Sequence, residues 1–309
     1  MDELKRSTLT LSKQITYEAS CISYEQDRAE NGFLSFTEKI ESRELYSGVH
    51  YEKRLYHRGN GERVLIYLTV LSPEAPATFA VSASPSGTIK MVKRHAAEFN
   101  GYVICAMNAS FFHFFNDGDL TPYGIQVVRG KEINPPGKDK PQYSDNWIGI
   151  TKQGEMVIGN AEDYCVHWQG NLEYAVGGGA RLIRDGKINL PSDGGQHPRT
   201  TAGISSDGTV ILMCADGRSS FSSGLTCGDI IDLYLGLGYE IKELLNLDGG
   251  GSTTFVLREH DGSFQVQNIP SGPPLPISYQ KYGLPTPVPC GDSQARGVAD
   301  CILIVATDR

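Results

Sequence analysis

Asp248 is followed by three consecutive glycines, Gly249, Gly250 and Gly251, and then by Ser252, Thr253 and Thr254. Short apolar or β-branched runs flank this stretch, Leu244–Leu247 before it and Thr253–Leu257 after it, and each reads as a strand. The glycines then make a tight strand-to-strand turn. Lacking Cβ atoms, they can adopt positive φ and let a ligand reach the main chain. Successive amides in such a bend form a concave donor set for an anion, here bordered by Asn246, Asp248, Ser252 and Thr253. An ordinary Asp-Gly hairpin turn is the plainer alternative. Three glycines cost more conformational entropy than a hairpin needs, which favours a site.

Turn chemistry of this kind recurs along the chain. With 35 glycines, 16 prolines and 15 tyrosines in 309 residues, many short strands and turns are expected rather than a helical bundle. Tyr51–Tyr56, Arg63–Leu71, Thr78–Ser84, Tyr102–Met107, Pro122–Gly130, Trp147–Gly154 and Val210–Ala215 read as strands, and Arg296–Val305 as a closing one. Helical spacing occurs twice. Ile89, Val92, Ala96 and Phe99 precede Gly101. Thr226 and Asp229 form a capping box ahead of Ile230, Leu233, Tyr234 and Leu237, with Gly238 as the stop. Gly177-Gly-Gly-Ala reads as a second glycine bend, entering a short hairpin. The expected fold class is therefore α+β: a mixed, largely antiparallel sheet core with a few flanking helices. Residues 1–43, with a strand at Gln14–Tyr17, read as an N-terminal extension packed on a domain spanning 44–309.

Composition narrows the partners. A net charge of −8 argues against general nucleic-acid binding. The longest apolar runs fall well short of a membrane span, and Met1-Asp-Glu-Leu-Lys opens no signal-peptide pattern. The seven cysteines include no Cys-x-x-Cys pair, and Cys105, Cys214 and Cys301 lie inside apolar runs as small hydrophobes. His95, His113, His167, His197 and His260 are dispersed, so neither a metal site nor any cofactor is expected, although a divalent cation stays open.

The polar residues that remain gather at strand ends. Arg199, Asp216, Arg218, Asp248 and Arg296 all stand at or beside apolar strands, where a scaffold presents side chains to a cleft. Arginine suits a phosphate there, because its planar guanidinium offers paired donors and stays charged. Asn108 follows a buried strand and precedes Phe111, Phe112, Phe114 and Phe115. A carboxamide beside flat rings could seat a sugar, and a plain aromatic core is the alternative for the rings.

Taken in order, Asn108-Ala-Ser-Phe-Phe, Pro122-Tyr-Gly-Ile, Arg199-Thr-Thr-Ala-Gly-Ile, Ala215-Asp-Gly-Arg, Asn246-Leu-Asp-Gly-Gly-Gly-Ser-Thr and Arg296-Gly-Val-Ala resemble the phosphodiester glycosidase family. That is the family of the N-acetylglucosamine-1-phosphodiester α-N-acetylglucosaminidases. The resemblance spans residues 44 to 309, with Cys227 standing where the family carries leucine. It implies release of a sugar from a sugar-1-phosphodiester at the anomeric carbon, a glycan or glycoconjugate partner, and an extracytoplasmic setting at the periplasm or cell surface. For that reaction Asp248 fits the carboxylate that serves the sugar or an incoming water, and Asp216 is either the second catalytic carboxylate or a group that merely orients an arginine. Asn108, Arg199, Thr200, Arg218, Asn246, Gly249, Gly250, Gly251, Ser252, Thr253 and Arg296 would bind substrate. Two other classes stay open: a metal-dependent phosphodiesterase using Asp216 and Asp248 as ligands, and a non-catalytic glycan-binding module of an envelope polysaccharide system.

Overall fold

The computed structural model describes residues 34–85, 88–113, 120–137, 141–191, 195–271 and 295–308. The described chain opens with β1 (Leu34–Tyr46), β2 (Val49–Arg58), β3 (Arg63–Leu71) and β4 (Ala77–Ala83). Helix α1 (Val92–Glu98) leads into β5 (Val103–Asn108). A run of short strands follows: β6 (Gln126–Val128), β7 (Lys131–Asn134), β8 (Asn146–Thr151), β9 (Met156–Asn160), β10 (Leu172–Gly178), β11 (Arg181–Arg184) and β12 (Lys187–Ile188). Then come β13 (Arg199–Ser205), β14 (Val210–Ala215), helix α2 (Cys227–Leu235), β15 (Ile241–Asn246), β16 (Phe255–Arg258), β17 (Phe264–Val266) and β18 (Asp300–Ala306).

These strands build three sheets among the described residues. The largest has the order β1-β2-β3-β14-β13-β15-β11-β12; the others run β7-β6-β10-β8-β9 and β17-β16-β5-β18-β4. Neighbours such as β13 and β14, β13 and β15, and β5 and β18 pair antiparallel, as the α+β reading expects.

The central strands are apolar throughout because both of their faces are covered. In β3, Leu65, Tyr67 and Leu71 face a core shared by all three sheets, while Val64, Ile66 and Leu68 face α2. β14 divides the same way, with Leu212 and Cys214 on one side and Ile211 and Met213 on the other. The capping box of α2 is as expected: Thr226 Oγ1 accepts from Asp229 N at 3.0 Å, and Asp229 accepts from Thr226 N at 2.8 Å. Arg58 ends β2 with its guanidinium buried on Asp229 and on Gly224 O.

Several expectations shift. The boundary drawn at residue 43 falls inside β1, which pairs with β2 from Leu34 to Tyr46 and forms the edge of the main sheet. Gln14–Tyr17 lies outside the described residues, as does most of the proline-rich stretch after Ile269. The first helix is shorter than its periodicity suggests, since Ile89 precedes it and packs on the same outer core. Pro122–Gly130 yields only the three-residue β6, and the last strand begins at Asp300 rather than Arg296.

The triglycine stretch is no hairpin. β15 lies in the eight-stranded sheet and β16 in the sheet around β5, so the glycines carry the chain from one sheet to the other. The bend at Gly177–Ala180 does likewise, linking β10 to β11 before the expected short hairpin of β11 and β12.

Candidate active site

Three adjacent strands deliver the polar residues to one end of the large sheet. Arg199 opens β13 and pairs with Ala215, the last residue of β14, so Asp216 emerges on one side of it. Thr201 pairs with Asn246, the last residue of β15, so Asp248 emerges on the other. At this end lies a cleft of about 690 Å³. Arg199, Arg218, Arg296, Asn246, Asp248 and Gly249–Gly251 line it, together with His197, Phe111 and Tyr143.

The glycine turn is shaped by what presses on it. A Cβ on Gly249 would lie 2.5 Å from Pro198 O. Gly250 has φ +58°, and its open side lies against the Arg218 guanidinium at 3.2 Å. A single 3₁₀ turn closes Gly250–Ser252, with Ser252 N donating to Gly249 O and Thr253 N to Gly250 O. Part of the anion cradle expected from the sequence is already taken up by the protein. Gly250 N donates to Pro198 O at 2.8 Å, and the Gly249 amide lies near enough to the Asp248 carboxylate to lower its pKa.

Asp248 keeps part of its surface toward the cleft. Burial pushes its pKa up to about 7, and the charge of Asp300 adds to the rise. The Ser252 hydroxyl, the Arg296 charge and the Gly249 amide pull it back. Ser252 Oγ itself reaches no partner at full hydrogen-bond geometry, so its pull is electrostatic. A carboxyl titrating near neutrality can both give and take a proton there.

The second sequence candidate has another role. Asp216 is buried, with its pKa raised by that burial to about 6, and it is absent from the described lining of the cleft. Oδ2 accepts from the Tyr67 hydroxyl at 2.8 Å. Oδ1 accepts from Asn268 Nδ2 at 3.2 Å and Ile269 N at 2.9 Å. Both oxygens are committed to protein donors, and a shared metal site with Asp248 is not assembled. Among the described residues, no three His, Cys, Asp or Glu gather as metal ligands.

Asn108, Thr200 and Thr253 are buried behind the cleft rather than facing a sugar. Asn108 Nδ2 donates to Asp248 O at 2.5 Å, and its Oδ1 accepts from Thr200 Oγ1 at 2.8 Å and Thr254 N at 3.1 Å. Asp248 N in turn donates to Ala109 O at 2.9 Å. These contacts fix the main chain that carries the acid. Arg199 also differs from expectation: Nε donates to Leu225 O and Nη2 to Gly195 O, so much of its fork is spent on the main chain. Arg218, exposed and at φ +58°, is held 3.4 Å from His197 Nδ1. Asn246 is the more open clue, because its buried Oδ1 borders the cleft without a protein partner among the described residues.

Asp300 was not singled out from the sequence. Fully buried at the head of β18, it accepts from Ser110 N, Ser110 Oγ and Gln126 Nε2 at 2.8–2.9 Å. Its signal was an acid set directly against the apolar run Cys301–Ala306.

Known proteins share this fold. The catalytic domain of zebrafish N-acetylglucosamine-1-phosphodiester alpha-N-acetylglucosaminidase, auto-inhibited by its pro-peptide, superposes with a TM-score of 0.60 at 18% identity, covering 88% of this chain and 87% of that one. A protein from Synechocystis superposes with a TM-score of 0.55 at 13% identity, over 87% of this chain and 64% of that one. The SPbeta prophage-derived protein YomE of Bacillus subtilis (strain 168) is 42% identical over 77 residues, a stretch that is 25% of this chain and 11% of YomE. Residues 101–305, well over half of the sequence, match the family described as phosphodiester glycosidase. The chain belongs to the phosphodiester glycosidase family.

Proposed function

We propose that this chain hydrolyses a sugar-1-phosphodiester at the anomeric C–O bond, releasing the sugar and a phosphate monoester. The observation that carries the reading is one cleft-facing carboxylate with a pKa near neutrality, Asp248, sharing its cleft with the guanidinium groups of Arg218 and Arg296. An ordinary glycosidase protonates its leaving oxygen and needs a second carboxyl group to do so. A phosphate monoester, whose second pKa is about 6, leaves without that help if its growing charge is stabilised.

The roles divide accordingly. Arg218 and Arg296 hold the phosphate, and Arg199 braces the loop beneath them. Asp248 in its ionised form takes a proton from water as the water oxygen bonds to the anomeric carbon. The bond from that carbon to the phosphate oxygen breaks, and its electron pair stays on the phosphate beside the arginines. Asn246 Oδ1 accepts from a substrate hydroxyl. The family supports N-acetylglucosamine as the first sugar to try.

Hydrolysis in ¹⁸O-labelled water tests the bond that breaks. Label is expected on the anomeric hydroxyl with the phosphate unlabelled. Label in the phosphate would overturn the glycosidase mechanism in favour of attack at phosphorus.

A further inference from the structure

The segment after Asn108 alternates in direction. Phe112 turns inward to the core around Val103 and Val256 and bridges to Pro122. Phe111 turns the other way and lines the cleft. Tyr143, on the short helical turn Pro141–Ser144, lies beside it with ring centroids 4.9 Å apart and is 39% exposed. Behind them, Tyr123 stacks on Tyr143 at 6.1 Å and meets His113 at 4.2 Å. Two backbone bonds, Tyr123 N to Phe111 O at 2.7 Å and His113 N to Thr121 O at 2.8 Å, hold the rings in register.

The Phe111 end of this array is tied to the acid. Ala109, two residues before Phe111, accepts from Asp248 N, and Ser110 binds the buried Asp300 through its amide and its hydroxyl. The cleft therefore has an aromatic wall at a fixed place relative to Asp248, and arginines elsewhere on its lining. An aromatic core cluster would bury all its large rings, whereas Tyr143 leaves over a third of its surface open.

We propose that Phe111 and Tyr143 form a stacking subsite for the pyranose ring of the substrate, leaving its phosphate to Arg218 and Arg296. The flat apolar faces take the carbon-bound hydrogens of the sugar, and the few polar groups across the cleft fix its orientation. The choice of probe, a sugar phosphate, rests on the phosphodiester glycosidase reading.

The test compares two ligands on the full chain by calorimetric titration: N-acetylglucosamine-1-phosphate and inorganic phosphate. In Tyr143→Ala, the Kd for the sugar phosphate should rise about tenfold, the scale of one lost ring contact. The Kd for inorganic phosphate should stay at its wild-type value. Tyr143→Phe, which keeps the ring face and loses only the hydroxyl, should bind both ligands as the wild type does. Equal weakening of both ligands, an unchanged Kd for both, or a wild type that does not bind the sugar phosphate would each overturn the subsite. A wild type that binds the sugar phosphate through Tyr143 yet does not hydrolyse any sugar-1-phosphodiester would remove the proposed reaction and leave the subsite standing.

Discussion

Asp216 and Asp248 begin alike and end differently. Each follows an apolar strand of the same sheet, each precedes glycine, and their strands flank β13 on its two sides. Burial raises the pKa of both, to about 6 and about 7. Asp216 is surrounded by the Tyr67 hydroxyl, the Asn268 amide and the Ile269 N–H, all turned inward upon it. Asp248 meets Arg296 and Ser252 electrostatically and borders open cleft. One carboxylate closes a structure and the other is left available to a ligand. A raised pKa alone would nominate both as functional, and only the direction in which each faces separates them.

Activity should divide the two acids most strongly. Asp248→Asn is nearly isosteric and is expected to slow turnover of a sugar-1-phosphodiester by about a hundredfold or more, the scale of a lost acid–base contribution. Asp216→Asn keeps an oxygen for Asn268 and Ile269 and should remain close to wild type. In the wild type, kcat/KM should fall as pH drops through about 7, because Asp248 must be ionised to take a proton from water. A large loss in Asp216→Asn with full activity in Asp248→Asn would reverse the comparison.

Stability should rank them the other way. Asp216→Ala strands a buried tyrosine hydroxyl and a main-chain N–H and leaves Asn268 Nδ2 only its bond to Thr253 O, so denaturant unfolding should show a loss of roughly 2–4 kcal/mol. The loss should be concentrated where Asn268 and Ile269 lead the chain away from β17. An Asp216→Ala variant as stable as the wild type would show that this network contributes nothing to the fold.

Much of this was legible in the sequence, and what was not has a common cause. Apolar runs, glycine punctuation and the Thr226–Asp229 box marked the strands and α2, because those signals act between near neighbours. Asp248, Arg218 and Arg296 were named from strand ends and Asn246 as a border of the glycine turn, and the structure brings all four to one cleft. The misreadings came from long-range partners. Leu225 and Gly195 claim the donors of Arg199, Tyr67 claims Asp216, and Asp248 itself claims Asn108. Nothing near Asp248 in the sequence reveals that its flanking strands belong to different sheets, so a crossover between sheets reads there only as a tight strand-to-strand turn.

The smallest expected effect sharpens the comparison furthest, because it gives Asp248 an opposite sign in stability and in activity. Its folded pKa of about 7 lies above the ordinary aspartate value of 3.8, so the folded state holds a proton that the unfolded chain releases. Between those two pH values the folded state binds more protons, and wild-type stability falls as pH rises. The carboxamide of Asp248→Asn carries no such titration. The variant should therefore match the wild type near pH 4, gain on it progressively, and be the more stable protein by about 1 kcal/mol above pH 7. Cleft solvent keeps that figure well below what full burial would give. Thermal melts at matched ionic strength should show the gap opening with pH to about 2 °C. Asp216 titrates in both proteins, so subtracting the curves isolates Asp248. A gap that is constant with pH, or a variant less stable than wild type at pH 8, would mean that the carboxylate is held by its neighbours as Asp216 is, and the contrast between the two acids would collapse.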